Sequence, residues 1–311
     1  MGFLVKPVSA HQELREAVVA DDGLLVANKI ALIDVSGMLL NARMGGLFGD
    51  NENPASLFCE KLDKARNDSS VKAVVLRLNT PGGTVQASEA MYDYLQRFRR
   101  STGKPVIACI TDMGASGGYY LACGCDRILV QSTSITGSIG VIIQTVSFAG
   151  TMEWLRISTD AVVSGPFKDM ASPLRAMKPQ EREMLQQMVN EFYDKFLSVV
   201  GQGRKDRLKD DLRKLADGRV YTGRQAVENG LADGLGDVTE ACAQARKAAG
   251  VSRAKVVMYH RPLGYRASVY SAAPEISPQA GGTTVNLLNL QNSELMTLGR
   301  PAFLYLWTTG Q

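Results

Sequence analysis

Histidine and clustered cysteine are scarce in this 311-residue sequence. It has two histidines, His11 and His260, so few imidazoles are available as general bases. The five cysteines form neither a C-x-x-C pair nor a metal-ligand pattern with histidine. We therefore expect no zinc site and no disulfide scaffold, and the chain is long enough to bury an apolar core without either.

Long apolar runs and dense basic patches are also missing. Segment 24–40 comes closest to a membrane span, but Asn28, Lys29 and Asp34 interrupt it. No basic region followed by an apolar run marks a signal peptide. The net charge is +4, without a basic patch interleaved with aromatics, so nucleic acid is not indicated. We expect a chain that is soluble as given, and either cytoplasmic or associated with the cell membrane through an anchor that this sequence does not show.

Apolar, β-branched runs alternate with amphipathic segments along most of the sequence. The spacing predicts strands at 29–35, 73–78, 105–110 and 126–130, with helices at 55–67, 87–100 and from residue 117. Such alternation is typical of an α/β protein with parallel strands. In open α/β sheets ligands bind beyond the carboxyl ends of the strands, and the glycine-rich loops here fall at such ends.

Three regions differ in composition. We expect an N-terminal arm over residues 1–26, a main domain over 27–260 and a C-terminal tail over 261–311. The longest predicted helix, 179–203, carries an apolar stripe that suits the core or a subunit contact. Within the tail, the aromatic end at 303–307 must dock somewhere, because otherwise it would be an exposed apolar patch.

A serine flanked by glycines follows one predicted strand. The segment GASGG at 114–118 comes after the apolar run 105–110 and opens a predicted buried helix. The glycines let the backbone turn sharply and leave room around the Ser116 hydroxyl. A serine at such a turn is presented by its backbone, and the amides at the helix start can face a developing oxyanion. Ser116 is therefore a candidate nucleophile. The alternative is a serine that only caps the helix.

Two side chains could accept the proton of Ser116. GASGG fits the G-x-S-x-G elbow of α/β-hydrolases, whose chemistry needs a histidine after the serine, and only His260 qualifies. The other candidate is Lys168, because a desolvated lysine loses its proton more easily and Ser-Lys dyads are a known variant of the triad. Without further evidence, a lysine in such a loop is a solvated surface residue.

Five short motifs decide between these readings, because together and in this order they resemble the SppA family of signal peptide peptidases, serine peptidase family S49. The motifs are NTPGG at 79–83, GASGGYYLA at 114–122, TGSIGV at 136–141, SGPFKDM at 164–170 and GRVYTG at 218–223. The resemblance extends from about residue 29 to residue 259. It implies an α/β fold of the ClpP/crotonase-like type, a repeated β-β-α superhelix with mostly parallel strands.

The resemblance also implies a serine endopeptidase that needs no metal or cofactor. The nucleophile would be Ser116 and the base Lys168, with Ser138 hydrogen-bonding the lysine amine. The PGG loop would lend a backbone amide to the oxyanion hole, from Gly82 or Gly83.

Gly117 would supply the second oxyanion donor. The implied substrates are released signal peptides or other extended hydrophobic peptides. Relatives form rings, and in tandem relatives the serine and the lysine lie in different repeats. A single-copy chain would take its lysine from a neighbour, so we expect a homo-oligomeric ring with sites at protomer interfaces. Family members usually carry an N-terminal membrane segment and none is seen here, so peripheral membrane association stays open.

Three alternatives remain at this point. One is a phage-type capsid-maturation protease of the same family, and the others are a non-catalytic crotonase-like scaffold and an enzyme of acyl-CoA chemistry. Lys168 and Ser138 discriminate, because neither the scaffold nor the acyl-CoA enzyme needs them. The pair Gly82-Gly83 would also suit a β-turn or a phosphate loop, but no Gly-Lys-[Ser/Thr] follows, which excludes a P-loop.

Overall fold

The computed structural model describes residues 13–23, 26–42, 52–261 and 302–307. Its strands are β1 (Arg15–Ala20), β2 (Lys29–Ser36), β3 (Val71–Thr80), β4 (Gly82–Thr84), β5 (Val106–Ala115), β6 (Arg127–Val130), β7 (Ile135–Gly137), β8 (Ile142–Ile143), β9 (Val220–Thr222), β10 (Gly234–Leu235), β11 (Lys255–His260) and β12 (Phe303–Leu306). Its α-helices are α1 (Pro54–Asn67), α2 (Val85–Thr102), α3 (Gly117–Ala122), α4 (Ala149–Trp154), α5 (Pro179–Arg204), α6 (Leu212–Leu215), α7 (Gly223–Glu228) and α8 (Val238–Ala248).

A nine-stranded sheet forms the centre of the molecule. Its order is β1-β11-β2-β3-β5-β6-β10, with β7 attached to β5 and β9 attached to β7. The strands from β11 to β10 pair in parallel, and the antiparallel pairs are β1 with β11 and β7 with β9. The predicted α/β architecture with mostly parallel strands is confirmed.

Helices cover both faces of this sheet. Strands β3 and β5 are almost continuously apolar because both of their faces are buried, as is usual for parallel sheets. On one face, Leu62 of α1, Phe98 of α2 and Tyr120 of α3 belong to the larger core cluster. On the other face, α8 packs Val238 and Ala241 against the sheet. The loops at the carboxyl ends of the central strands are thus fixed by a core on each side.

Part of each predicted terminal region joins the fold. Residues 15–20, which we assigned to the N-terminal arm, form the edge strand β1 next to β11. Residues 303–306 of the predicted tail form β12, so the aromatic end docks as expected. Residues 1–12 of the arm, residues 262–301 of the tail and most of the predicted loop 41–54 lie outside the described residues.

A second, small sheet has the order β4-β12-β8. Strand β12 lies in its middle and runs antiparallel to both neighbours, with Tyr305 opposite Gly83 and Leu304 opposite Ile142. The sequence predicted a strand over 139–143, whereas only Ile142–Ile143 is a strand here. The small sheet joins the C-terminal segment to the loop that follows β3.

A buried ion pair fastens the end of α5 to the sheet. Arg204 is 1% exposed and binds Asp233 at 3.0 Å, and it also donates to the carbonyl of Gly230. Asp233 accepts the amide of Ile128 in β6 at 2.7 Å. Burial alone would raise the pKa of Asp233, but the Arg204 guanidinium and the Ile128 amide outweigh burial, so this pKa lies below its usual value.

We predict that Arg204→Met lowers the free energy of unfolding by about 3 kcal/mol at neutral pH, because it removes the buried partner of the Asp233 carboxylate and leaves only Arg207, at 3.3 Å, to pair with it. The pair stabilises the fold when Asp233 is charged. Its contribution is therefore present above the ordinary aspartate pKa and is lost as the pH falls through the lowered pKa of Asp233. Denaturant titrations over this pH range measure the difference.

The matched control is Arg213→Met, which removes an exposed pair with Asp194 at 3.2 Å and should cost less than about 1 kcal/mol. Equal losses in the two variants at neutral pH, or a loss for Arg204→Met that does not shrink in acid, would contradict this account of the Arg204–Asp233 pair.

Candidate active site

The ends of three neighbouring strands bring together the PGG loop, Ser116 and Ser138. Thr80 at the end of β3 lies opposite Gly114 in β5, and Ala115 lies opposite Gly137 at the end of β7. The chain therefore leaves the sheet at three adjacent points. The PGG loop follows the first point, Ser116 the second and Ser138 the third.

Ser116 is held in an unusual conformation between β5 and α3. Its φ is 51° and its ψ is −114°, a region that L-residues rarely occupy. Its amide donates to the carbonyl of Gly137 at 2.8 Å, and its carbonyl accepts the amide of Tyr120 at 2.9 Å. The residue is 1% exposed, and its Oγ has no hydrogen-bond partner in the part of the chain that the structure describes. A strained turn that presents an unpaired hydroxyl is the geometry of a nucleophile elbow.

Ser138, after the neighbouring strand β7, also has a positive φ. Its φ is 49°, and its amide donates to the carbonyl of Arg219 at 2.8 Å. It is 7% exposed. Because Ala115 and Gly137 are paired, the two serines leave neighbouring strand ends side by side. The structure thus brings Ser138 to the edge where Ser116 lies.

The glycine loop after β3 is fixed by the side chain of Thr80. Its hydroxyl donates to the carbonyl of Gly37 at 2.5 Å and accepts the amide of Gly82 at 3.1 Å. Gly82 has a φ of 105°, which favours glycine. The Gly82 amide therefore has an acceptor within its own loop, and Gly82, Gly83 and Gly117 stay the candidate oxyanion donors.

Three stretches of backbone approach one another closely at this loop. A Cβ built on Gly82 would lie 2.7 Å from the amide nitrogen of Gly117 and would overlap the carbonyl oxygen of Tyr305. A Cβ on Gly117 would lie 3.2 Å from the same Tyr305 oxygen. The positions of Gly82 and Gly117 therefore have no room for a side chain.

Lys168 is not a hydrogen-bond partner of Ser116 within its own chain. It is exposed, in the segment 155–178 that connects α4 to α5. Since the Ser116 Oγ has no partner, Lys168 Nζ makes no hydrogen bond to it here. An ion network fixes the residues that follow Lys168 in the same chain: Arg175 binds Asp169 at 2.6 Å and Glu181 at 2.5 Å. The hydrogen bonds from Arg175 lower the pKa of Asp169 to about 2.

His260 is also remote from Ser116. It lies at the end of β11, and its Nδ1 is 2.6 Å from the carbonyl oxygen of Arg261. Strands β2 and β3 separate β11 from β5. At ~4.8 Å per strand these three steps amount to about 14 Å, too far for an imidazole to reach the serine hydroxyl. The geometry does not support the hydrolase triad.

Comparison with known proteins agrees with the geometry. The model of Peptidase family S49 matches residues 98–252, and the model of Clp protease matches residues 28–152. The chain is 34% identical, over 74% of its length and 67% of the relative's, to a protein of Enterococcus faecium named "Putative signal peptide peptidase SppA". It is 32% identical, over 89% of its length and 96% of the relative's, to a "Putative protease" of Synechocystis.

The chain belongs to peptidase family S49. It is a serine-type peptidase with a ClpP-like domain, and its substrates are peptides. It is also 34% identical to "Protease 4" of Haemophilus influenzae, where the match covers 71% of this chain and 35% of that longer protein.

Two parts of this S49 peptidase site were not predicted from sequence. Thr80 was included in the NTPGG motif without a role, although its hydroxyl fixes Gly82. Tyr305 was noted only as part of an aromatic end that had to dock, and the structure places its carbonyl against Gly82 and Gly117. Only the aromatic run itself could have indicated Tyr305, because the intervening sequence gives no sign of where β12 pairs.

Two kinds of feature are absent from the described residues, a metal-binding cluster and a membrane-spanning helix. No group of three or more His, Cys, Asp or Glu residues there is arranged to hold a metal ion. No helix in the same residues combines the length and the apolar character needed to cross a membrane.

We predict that Gly82→Ala strongly reduces reaction with a fluorophosphonate, because the added Cβ pushes apart the backbones of Gly117 and Tyr305. Gly103→Ala is the matched control: Gly103 has a φ of 66°, but a Cβ there meets nothing within 4 Å. The control should lose only about 1 kcal/mol of stability and keep its reactivity. Labelling rates and thermal unfolding measure the two effects. A Gly82→Ala variant that labels at the wild-type rate would show that the close approach is not needed.

Proposed function

We propose that this S49 peptidase is an endopeptidase that cleaves extended hydrophobic peptides with a Ser116/Lys168 dyad. The Ser116 Oγ attacks the peptide carbonyl while neutral Lys168 takes its proton. The amides of Gly83 and Gly117 stabilise the oxyanion, and the lysine returns the proton to the leaving amine. Water then hydrolyses the acyl-enzyme. Ser138 orients the lysine amine.

The observation that carries this proposal is the state of the Ser116 hydroxyl. It is buried, has no partner among the described residues and belongs to a strained turn directly before Gly117, whose amide lies close to Gly82. A buried hydroxyl without a partner costs free energy, and such groups cluster at functional sites. Beside it, the Ser138 turn offers a second hydroxyl where a lysine amine would have to arrive.

The lysine is proposed to come from an adjacent protomer. Within its own chain Lys168 is exposed and makes no hydrogen bond to Ser116. A lysine acts as a base only when its amine is neutral, and removal from water favours the neutral amine near neutral pH. Docking of the 155–178 segment against a neighbour would supply both the contact with Ser116 and this desolvation.

The surface around Lys168 supports such docking. Large apolar side chains are exposed throughout this part of the chain, far more densely than elsewhere among the described residues. They are Ile142, Val146, Phe148, Trp154, Leu155, Ile157, Val162, Val163, Phe167 and Leu174. Trp154 is 81% exposed in the isolated protomer. An apolar patch of this kind marks an interaction surface, and a second copy of the chain covers it in our proposal.

The substrate class rests on the family and on the small sheet. The Enterococcus relative is named a signal peptide peptidase, which supports hydrophobic segments as substrates. An extended peptide can pair with β4 and so bring its carbonyl to Gly83 and Gly117. The capsid-maturation protease and the non-catalytic scaffold remain as alternative outcomes of the experiments below.

We predict that Lys168→Ala and Ser116→Ala both abolish peptidase activity and fluorophosphonate labelling, whereas His260→Ala keeps both near the wild-type level. The reason is that His260 lies on β11, which β2 and β3 separate from β5. Labelling detected on a gel, with circular dichroism as the folding control, measures this. Loss of labelling in a folded His260→Ala variant would support the hydrolase triad, and labelling that does not depend on Ser116 would favour the scaffold.

We also predict that mixing Ser116→Ala with Lys168→Ala under subunit exchange restores activity. Some mixed interfaces then pair an intact serine of one protomer with an intact lysine of its neighbour. Exchange is verified separately with two fluorescent labels. If exchange occurs and the mixture stays inactive, the dyad forms within one chain and the interface proposal is wrong.

A further inference from the structure

We infer that Arg175 is a positioning residue of this peptidase, which clamps the loop of Lys168 to the first turn of α5 and so holds the lysine ready for a neighbouring protomer. This inference rests on the proposed function, in which Lys168 of one protomer takes the proton of Ser116 of the next. Arg175 acts through Lys168 and contacts neither the reacting atoms nor the substrate.

One set of hydrogen bonds from Arg175 reaches the residue directly after Lys168. Arg175 Nε lies 2.6 Å from Asp169 Oδ2, and Nη2 lies 2.8 Å from Oδ1 and 3.1 Å from the carbonyl oxygen of the same residue. Bidentate pairs of this kind fix orientation as well as distance. Asp169 is therefore held at its side chain and at its backbone, one residue from the proposed base.

A second set of hydrogen bonds from Arg175 reaches the first turn of α5. Nη2 lies 2.5 Å from Glu181 Oε1, and Nη1 lies 2.9 Å from Oε2. Glu181 is fully buried, and it also accepts the amide of Lys178 at 3.0 Å. The helix that carries it has 26 residues, and its Phe196 and Val200 belong to the larger core cluster. Arg175 therefore connects the lysine loop to an element that the core holds in place.

The loop around Lys168 is compact but does not anchor itself to the core. Three turns close with amide-to-carbonyl distances of 3.1 Å, from Lys168 to Gly165, from Met170 to Phe167 and from Ser172 to Asp169. Each turn fixes only its own few residues. The Phe148 amide also donates to the Pro173 carbonyl at 2.7 Å, but the helix that begins there, α4, has no buried residue. The link from Arg175 to Glu181 is the one that leads into the core.

The fold by itself requires only half of this clamp. Glu181 is buried, and a buried carboxylate needs a cationic partner, which Arg175 supplies. Asp169 is partly exposed and would be hydrated without Arg175, so this pair contributes little to stability. The half of the clamp that binds Asp169 is better explained by the neighbouring lysine, which must arrive at the interface in one geometry.

A base that crosses a subunit interface benefits from a loop that is fixed before docking. Ordering a loop on contact costs conformational entropy for each residue that is ordered. A loop already held by Arg175 leaves mainly the Lys168 side chain to be ordered. Small displacements of a catalytic group lower rates strongly. We therefore expect that loss of the clamp slows the chemical step and leaves substrate binding unchanged.

Steady-state kinetics of the full-length protein with a fluorogenic apolar peptide test this expectation. Arg175→Ala should lower kcat about tenfold with little change in KM. Asp169→Asn keeps the pair of Arg175 with Glu181, so it should fold normally and still lower kcat. The matched control is Arg213→Ala, which removes the exposed pair with Asp194 and should keep the wild-type kcat. Thermal unfolding is the folding control. A wild-type kcat in folded Arg175→Ala and Asp169→Asn would overturn the inference.

Mixed oligomers test whether Arg175 acts on the lysine of its own chain. The first mixture combines Ser116→Ala with a chain that carries both Lys168→Ala and Arg175→Ala. The second combines a chain that carries both Ser116→Ala and Arg175→Ala with Lys168→Ala. In both mixtures the working lysine comes from the chain with Ser116→Ala. Only the second mixture should react about tenfold more slowly than a mixture of the two single variants. Equal rates in the two mixtures would show a general structural role and would overturn the inference.

These outcomes separate the inference from the proposed function. If Lys168→Ala stays active, Lys168 is not the base and the proposed dyad fails. If Lys168→Ala is inactive but Arg175→Ala turns over at the wild-type rate, the dyad stands and only the role of Arg175 is wrong. If no mixture recovers activity, the lysine acts within one chain, and the kinetics of Arg175→Ala and Asp169→Asn decide on their own.

Discussion

The close approach of backbone at Gly82, Gly83 and Gly117 is the constraint on which the rest of the site depends. Glycine at 82 and 117 lets the loop after β3, the first turn of α3 and strand β12 meet without side chains between them, and glycine at 83 leaves room for the backbone of Leu39. The Thr80 hydroxyl fixes this loop by accepting a hydrogen bond from the Gly82 amide. Since Ser116 immediately precedes Gly117, any change in this packing moves the candidate nucleophile as well.

The parallel sheet explains why the candidate nucleophile can be held under strain. Ser116 and Ser138 each have a positive φ. Ser116 follows β5, which pairs with β3 and β7, and Ser138 follows β7, which pairs with β5 and β9. Strands β3 and β5 are buried on both faces, so the sheet has little freedom to relax these turns. The rigid part of the protomer thus carries the hydroxyls and the amides.

The proposed base, Lys168, is exposed to solvent, whereas Ser116 is buried. Lys168 is exposed in a segment rich in exposed apolar side chains. The residues directly after it are held by the ion pairs of Arg175 with Asp169 and Glu181. Burial of a lysine is costly unless something compensates for it. If desolvation occurs only on assembly, the free protomer avoids that cost and remains inactive, and activity becomes linked to the formation of the interface.

Much of the fold could be predicted from hydrophobic pattern alone, because buried parallel strands such as β3 and β5 are short apolar runs and their helices are amphipathic. The candidate site followed from motifs at strand ends, and the structure brings Ser116, Ser138 and the glycine loop to one edge. The role of Thr80 and the pairing of β12 could not be predicted. A hydroxyl that bonds a loop amide looks like any threonine, and the pairing of a distant segment depends on tertiary contacts rather than on local sequence.

The most direct test of the proposed dyad is an experimental structure of the assembled protein with Ser116 intact. Our account predicts that the Lys168 amine of one protomer lies within hydrogen-bond distance, about 3 Å, of the Ser116 Oγ of its neighbour, with Ser138 on the other side of the amine. A structure in which Lys168 stays in solvent in every protomer, or in which another base contacts Ser116, would contradict it.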